Sequence, residues 1–233
     1  MIDLASTDFS IDVPALAEDR LKSYASGLFE SWEMWLEAGL PLADYSVRLE
    51  VSQGSFKGKG LVAATMAALY AGIAGYGSFR SGVREISQDL KRASDFLSEH
   101  AVAPFSAQGR PEMKSKMGPG AVTQLENLFR RVERGQLDPE RAVEAAMAIF
   151  KNEPDVDPRA LSSLAKALRE TEVAPQQAPL FEVAADPSSS TPPSRPRKQP
   201  FAPDSPVPTV PRVEVAIWRE TKRGLRQVLV LTR

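Results

Sequence analysis

A proline-rich stretch near the C-terminus constrains the fold of this chain more than any other feature. Eleven prolines fall between residues 175 and 211, interleaved with a Ser-Ser-Ser-Thr run at 188–191. Proline has no amide N–H to donate to a helix or sheet, and the stretch has little apolar surface to offset the entropy cost of ordering. The sequence therefore predicts a disordered, extended linker at 175–211, with a folded body before it and a short segment after it.

Composition limits the chemistry that the folded body can perform. The chain of 233 residues has no cysteine and one histidine, His100. Disulfides and cysteine-ligated metals are therefore excluded, and histidine-based arrangements lose most or all of their members. We expect no cofactor, no metal site and no catalytic residue, and a protein that is not an enzyme.

The net charge of −1 conceals an uneven distribution. Residues 187–233 hold nine basic and three acidic residues, a net of +6, which leaves −7 on residues 1–186. A basic tail predicts either an anionic partner or contact with the chain's own acidic body, although such charge also serves solubility alone. The first twelve residues carry three aspartates and no basic residue, so we expect no secretory signal and a cytoplasmic protein.

Residues 8–103 predict an N-terminal α+β module. Apolar residues recur at helical spacing from Leu21 to Trp35, which indicates an amphipathic helix with two tryptophans on its core face. Residues 45–52 alternate between apolar and polar, which predicts a half-buried strand followed by a short second strand after Gln53-Gly54. Apolar residues between 83 and 97 then follow an a/d seam over two heptads, typical of a helix packed within its own chain.

A run of 20 uncharged residues from Gly60 to Phe79 has two interpretations. Its length suits a helix that crosses a bilayer, but alanine and glycine replace most of the strongly apolar residues. The run is predicted to be a helix that is either buried on all sides in the protein or inserted in an inner membrane, where it would self-associate. In both cases we expect close packing through small residues at four-residue spacing. These residues are Ala64, Ala68 and Gly72, and Ala71 and Gly75.

Residues 119–171 predict a cluster of three short helices that follows a glycine- and proline-rich connector. The first helix is indicated by an apolar stripe that ends at Gly135. Asp138-Pro139 and Asp157-Pro158 each supply a capping residue and a proline suited to the first helical position, so each predicts the start of a further helix.

Residues 212–233 predict a C-terminal β-hairpin. Two β-rich runs are joined by residues 219–224, with Gly224 expected in the left-handed conformation. A hairpin of two strands is marginal in water, so this one needs a partner strand, either at residues 47–51 of the same chain or on another protein's sheet edge. The predicted partner-binding residues are Val213, Val215, Ile217, Trp218, Arg219, Arg223, Arg226, Val228 and Val230.

One glycine pattern points to a cofactor but fails on its context. Residues 58–63, Gly-Lys-Gly-Leu-Val-Ala, match the dinucleotide fingerprint G-x-G-x-x-A. That site also needs a second parallel strand ending in an acidic residue about 20 residues later, and the chain has none. We therefore expect no dinucleotide here.

The sequence as a whole predicts an α+β, mainly helical fold, with modules at 8–103 and 119–171, a linker at 175–211 and a hairpin at 212–233. The favoured function is a non-enzymatic protein-binding or scaffolding protein, whose tethered basic hairpin pairs with a partner or with its own body. One alternative is a membrane-acting protein that inserts Gly60 to Phe79. Another is an enzyme that uses acidic residues around the loop at 54–60.

Overall fold

Six strands form one antiparallel sheet in the order β4-β1-β3-β2-β5-β6. The computed structural model describes residues 1–53, 56–109, 111–151, 157–173 and 213–232. The strands are β1 (Ile2–Ile11), β2 (Ser46–Ser52), β3 (Phe56–Ala64), β4 (Met113–Gly118), β5 (Val213–Arg219) and β6 (Gln227–Thr232). The linker predicted at 175–211 lies outside the described residues.

Six α-helices accompany the sheet in the described residues, which confirms the predicted α+β class. They are α1 (Glu18–Gly39), α2 (Met66–Ala74), α3 (Phe79–Val102), α4 (Ala121–Glu133), α5 (Pro139–Ile149) and α6 (Pro158–Arg169). The seam predicted between residues 83 and 97 is buried along α3, and Trp32 of α1 is 1% exposed. Trp35 is partly buried and packs against the same core, so both tryptophans lie on the core face, as predicted.

Helices α1 and α3 cover one face of the sheet because glycine lets them approach β3 closely. A Cβ at Gly60 would lie 2.4 Å from Leu97 of α3 and 2.9 Å from Trp32 of α1. Leu49, opposite Gly60 on β2, is fully buried on the same face, whereas Arg48 beside it is exposed. The opposite face of the sheet, called the open face below, carries Arg48 and its neighbours on the other strands.

The run from Gly60 to Phe79 does not form one continuous helix, and its central residues form α2. Its first five residues complete strand β3, Thr65 caps the N-terminus of α2, and Tyr76 to Ser78 separate α2 from α3. The nine residues of α2 are fewer than half of what a bilayer requires. Across the described ranges, no helix is long and apolar enough to cross a membrane.

The predicted starts of the last two helices are confirmed. Asp138 caps α5 by accepting hydrogen bonds from the amides of Glu140 and Arg141, and Asp157 caps α6 by accepting one from Arg159. Gly135, where the preceding helix is expected to stop, has a φ of +63° and donates its N–H to the Val132 carbonyl. Both local signals act as their chemistry requires.

Two strands lie in segments for which the sequence predicts no strand. Residues 2–11 form β1, which pairs with β3, and residues 113–118 form β4 in the predicted connector and pair with β1. Helix α4 also packs against α3 and β1. The sequence predicts modules at 8–103 and 119–171, whereas in the structure their described residues, together with the hairpin, belong to one compact unit.

Candidate functional site

The C-terminal hairpin pairs with the chain's own sheet through β5. Ile217 lies opposite Leu49 and Val215 opposite Val51 in the antiparallel pair of β5 with β2. Strand β6 pairs with β5 and forms one edge of the sheet. The strand near residues 47–51 thus supplies the neighbour that a two-stranded hairpin needs in water.

A buried ion-pair cluster attaches the hairpin to α1. Arg219 Nη1 lies 2.7 Å from Glu33 Oε1 and 2.7 Å from Glu37 Oε1. The side chains of Arg219 and Glu33 are 5% and 7% exposed, whereas that of Glu37 is 46% exposed. Because a charge buried without its partner is costly, this cluster fixes where the end of β5 lies on α1.

The loop between β5 and β6 adds further contacts to the same region. Arg226 donates to Glu33 Oε2 through Nε at 2.9 Å and also through Nη2, and its guanidinium lies 5.6 Å from the centre of the Phe29 ring. The amide of Lys222 donates to the Asp44 carboxylate at 2.7 Å. Helix α1 and the segment before β2 therefore both hold the hairpin loop.

The geometry of this loop differs from the prediction at Gly224. Among the described glycines, positive φ angles occur at Gly77, Gly109 and Gly135, and Gly224 has none. Its N–H donates to the Thr221 carbonyl at 3.0 Å. The connection runs from residue 220 to 226, so it is long enough to reverse the chain without a left-handed residue.

Tyr45 lies beside the cluster with an unmatched hydroxyl. Its side chain is fully buried, and its Oη has no hydrogen-bond partner among the described residues. Burial raises the pKa of Tyr45 to about 12, against the opposing effect of the nearby Arg219 charge. Nε and Nη2 of Arg219 are likewise without a partner in the described part of the chain.

The residues predicted to bind a partner fall into four environments. Val213, Val215 and Ile217 are buried in the chain's own core, and Arg219 lies in the ion-pair cluster. Trp218 is half-buried on the open face, where the Arg48 guanidinium lies 5.9 Å from its ring centre. The remaining residues border the loop or the sheet edge, and these are Arg223, Arg226, Val228 and Val230.

The outer edge of β6 carries no charged side chain. Val228 is 47% exposed and Leu229 is 45% exposed, on opposite faces of the strand, and Leu225 in the loop is 89% exposed. Leu229 is absent from the predicted set, which contains from β6 only Val228 and Val230, on the other face of the strand. Strand β4 at the other edge of the sheet carries the exposed lysines Lys114 and Lys116.

The small residues of the predicted helix-packing face do not form one face. Ala64 ends β3, Ala68 and Ala71 lie on α2, and Gly75 caps the C-terminus of α2. Of the two glycines, only Gly72 lies close to other elements, since a Cβ there would lie 2.5 Å from a Leu42 methyl group. The close packing at Gly72 is with the segment after α1, not with a second membrane helix.

No group of three His, Asp or Glu side chains among the described residues could hold a metal ion. His100 is exposed at the end of α3, with its ring stacked on Phe96 at 3.7 Å between centroids. Residues 58–63 lie within strand β3 of an antiparallel sheet, which is not the strand-to-helix turn that a dinucleotide site uses.

Comparison of the chain with models of known protein families, with curated proteins and with solved structures gave no match.

Proposed function

We propose that this chain is a non-enzymatic protein-binding scaffold that receives a strand from a partner protein at the outer edge of β6. Strand addition of this kind gains affinity from main-chain hydrogen bonds and specificity from alternate side chains. Strand β5 stays paired with the chain's own sheet, and the partner binds at β6.

The observation that carries the proposal is the contrast between the two edges of the sheet. Proteins commonly protect an exposed edge with charged side chains, above all lysine, because the edge is a template for another strand. Strand β4 has this protection at Lys114 and Lys116, whereas the sequence of β6, Gln-Val-Leu-Val-Leu-Thr, has no charge. Three of the six large apolar side chains exposed in the described residues lie between 225 and 229.

The charge near this edge defines the partner's chemistry. Arg223 is exposed in the loop that leads into β6, and Arg226 beside it is partly exposed while bound to Glu33. An extended apolar segment with an acidic residue at one end would complement both the edge and the loop. We therefore expect the partner to offer such a segment rather than a helix.

The buried ion-pair cluster of Arg219, Glu33 and Glu37 supports this role by holding the hairpin on α1, and Arg226 of the loop also binds Glu33. A binding strand that is already ordered does not lose its conformational entropy when the partner arrives. Strand β6 has β5 as an ordered neighbour, and β5 has β2, so the edge is presented by a sheet and not by a free tail.

A phage-displayed library of random peptides tests the proposal on the full chain. Peptides are selected on the wild-type chain alone, and their affinity is then measured for Leu229→Lys, which places a charge at the β6 edge. We expect enriched peptides to alternate apolar residues and to carry an acidic end. Each peptide should lose most of its affinity for Leu229→Lys in fluorescence anisotropy and should slow amide exchange within β6.

Met34→Lys is the matched control, because it places the same charge at an exposed apolar site on α1, where Met34 is 59% exposed. It should bind the selected peptides as the wild type does. Peptides that bind Leu229→Lys and wild type equally, or that protect β4 amides instead, would contradict the proposal. If the wild type sediments as a dimer and Leu229→Lys as a monomer, the occupant of the β6 edge is a second copy of this chain and not another protein.

A further inference from the structure

A groove crosses the open face of the sheet at a distance from the β6 edge. Its volume is about 350 Å³, and all its lining residues belong to strands β1 to β5. The volume lies near the lower end of the range for small-molecule sites, roughly 300–1,000 Å³. Four lysines line it, Lys57 and Lys59 on β3 and Lys114 and Lys116 on β4.

The strand register places these lysines at the corners of a rectangle. Lys57 and Lys114 both lie opposite Ser10 of β1, one on each side, and Lys59 and Lys116 lie opposite Asp8 in the same way. Alternate residues on one strand are about 7 Å apart, and strands two apart in a sheet are separated by about 10 Å. The ammonium groups of four long, flexible side chains can therefore converge on one small ligand.

Edge protection accounts for only half of this charge. Lys114 and Lys116 lie on the edge strand β4, where lysines discourage pairing with another sheet. Strand β3 lies inside the sheet between β1 and β2, so Lys57 and Lys59 protect no edge. Their presence on the open face needs a different explanation.

The carboxylates in the groove offset the charge of the lysines only in part. Glu50 lies opposite Lys59, but it pairs with Arg48 of its own strand at 2.7 Å. Lys57, Lys59 and Lys116 form no ion pair with any described residue, and Lys114 has one, at 3.4 Å to the exposed Glu112. Asp8 lies opposite both Lys59 and Lys116. Glu214 also lines the groove, so four lysines face three carboxylates and an excess of positive charge remains.

We propose that this groove binds a small anion carrying at least two phosphate groups. Such a ligand would bring negative charge within reach of lysines from both β3 and β4, and the Ser10 and Ser52 hydroxyls that line the groove would donate to its oxygens. Asp8, in the middle of the rectangle, opposes binding and limits its affinity. The site is independent of the β6 edge and of any protein partner there.

Isothermal titration of the full chain with inorganic pyrophosphate at low salt tests the site. We expect a Kd of about 1 mM or tighter that weakens as salt is added. The double variant Lys57→Gln/Lys59→Gln should raise that Kd at least about tenfold, because each ammonium contributes roughly a factor of five even at high dielectric. Asp8→Asn should lower it several-fold.

The double variant Lys22→Gln/Lys91→Gln is the control for net charge, since it removes two exposed lysines on α1 and α3. It should bind pyrophosphate within about twofold of wild type. Circular dichroism at each titration temperature establishes that the variants remain folded. No measurable binding, equal binding by both double variants, or weaker binding by Asp8→Asn would overturn the proposal. So would binding of a thymidine oligonucleotide in the absence of pyrophosphate binding.

Discussion

Arg219 of β5 and Glu33 of α1 form an ion pair that is almost wholly buried, with 2.7 Å between Nη1 and Oε1. This pair joins the C-terminal hairpin to the first helix of the chain. Taking two charges out of water is costly, and the cost is recovered only where the geometry is good and the remaining donors are satisfied. Glu33 has a second partner in Arg226, whereas Arg219 keeps two nitrogens unmatched among the described residues.

The first prediction is that Arg219→Met destabilises the protein by about 3 kcal/mol or more. The substitution keeps much of the side-chain volume but leaves the buried Glu33 carboxylate with Arg226 alone. Urea unfolding followed by circular dichroism measures the change. The double variant Glu33→Gln/Arg219→Met should recover at least half of the loss, because it removes both buried charges together.

Arg92→Met is the control for this prediction. Arg92 pairs with Asp89 at 2.9 Å, but 62% of its side chain is exposed, so its loss should change the free energy of unfolding by no more than about 1 kcal/mol. Equal losses of stability for Arg219→Met and Arg92→Met would show that the buried cluster stabilises the fold no more than an exposed ion pair does.

The second prediction compares the partly buried Tyr24 with the fully buried Tyr45. Tyr24 donates to the Ala101 carbonyl at 2.7 Å, whereas the Tyr45 hydroxyl has no partner among the described residues. Tyr24→Phe should cost about 1 kcal/mol, the net value of a hydrogen bond, and Tyr45→Phe should be neutral or stabilising. Thermal unfolding of both variants tests the contrast, and a larger loss for Tyr45→Phe would contradict it.

The third prediction concerns alkaline pH. Burial raises the pKa of Tyr45 to about 12 in the folded state, from 10.0 when the chain is unfolded. The contribution of the neutral phenol to stability is therefore complete below pH 10 and lost as the pH rises through 12. At about 1.4 kcal/mol per pKa unit, the free energy of unfolding falls by roughly 2–3 kcal/mol over this range.

Urea unfolding at pH 8 and pH 11 separates this effect from other titrations, because Tyr45→Phe removes only the Tyr45 contribution. The wild type should lose more stability than Tyr45→Phe between the two values. Parallel losses in the two proteins would refute the assignment.

Local chemistry made part of this fold predictable. Asp138 and Asp157 sit directly before prolines, and the capping carboxylate and the fixed proline φ act within one turn of the chain. The seam of α3 and the alternation of β2 each repeat over several residues, so each identifies its element without knowledge of the rest.

The segments missed by the sequence analysis depend on distant contacts. Strand β1 has a register shift between Asp3 and Ala5, which breaks its period of two. The end of β3 has small residues because α1 and α3 pack closely over Gly60, and that packing is invisible in a single segment. The Thr65 side chain accepts a hydrogen bond from the Ala68 amide. This N-cap residue is the local signal that a helix begins after β3 rather than within it.

The candidate sites were predictable to different degrees. The alternation of residues 213–218 indicates a strand in need of a neighbour, but the choice between β2 and another protein depends on the charges of the buried Glu33 and the partly exposed Glu37 on α1. The lysine groove joins two Lys-x-Lys sequences, at 57–59 and 114–116, that are far apart in the chain. Their convergence requires the order of strands β3, β1 and β4, which the sequence does not show.

The last prediction uses two helical glycines as a matched pair. A Cβ at Gly82 of α3 would lie 2.5 Å from the Ile73 carbonyl oxygen and 2.8 Å from its Cα, whereas a Cβ at Gly27 of α1 would meet nothing within 4 Å. Backbone atoms of α2 cannot move aside as a flexible side chain can. We therefore expect Gly82→Ala to destabilise the protein by about 1–3 kcal/mol. Gly27→Ala should stabilise it by about 0.5–1 kcal/mol, because alanine loses less backbone entropy in a helix. Urea unfolding of both variants gives the two signs directly, and stabilisation by Gly82→Ala would show that α2 and α3 are not packed this closely.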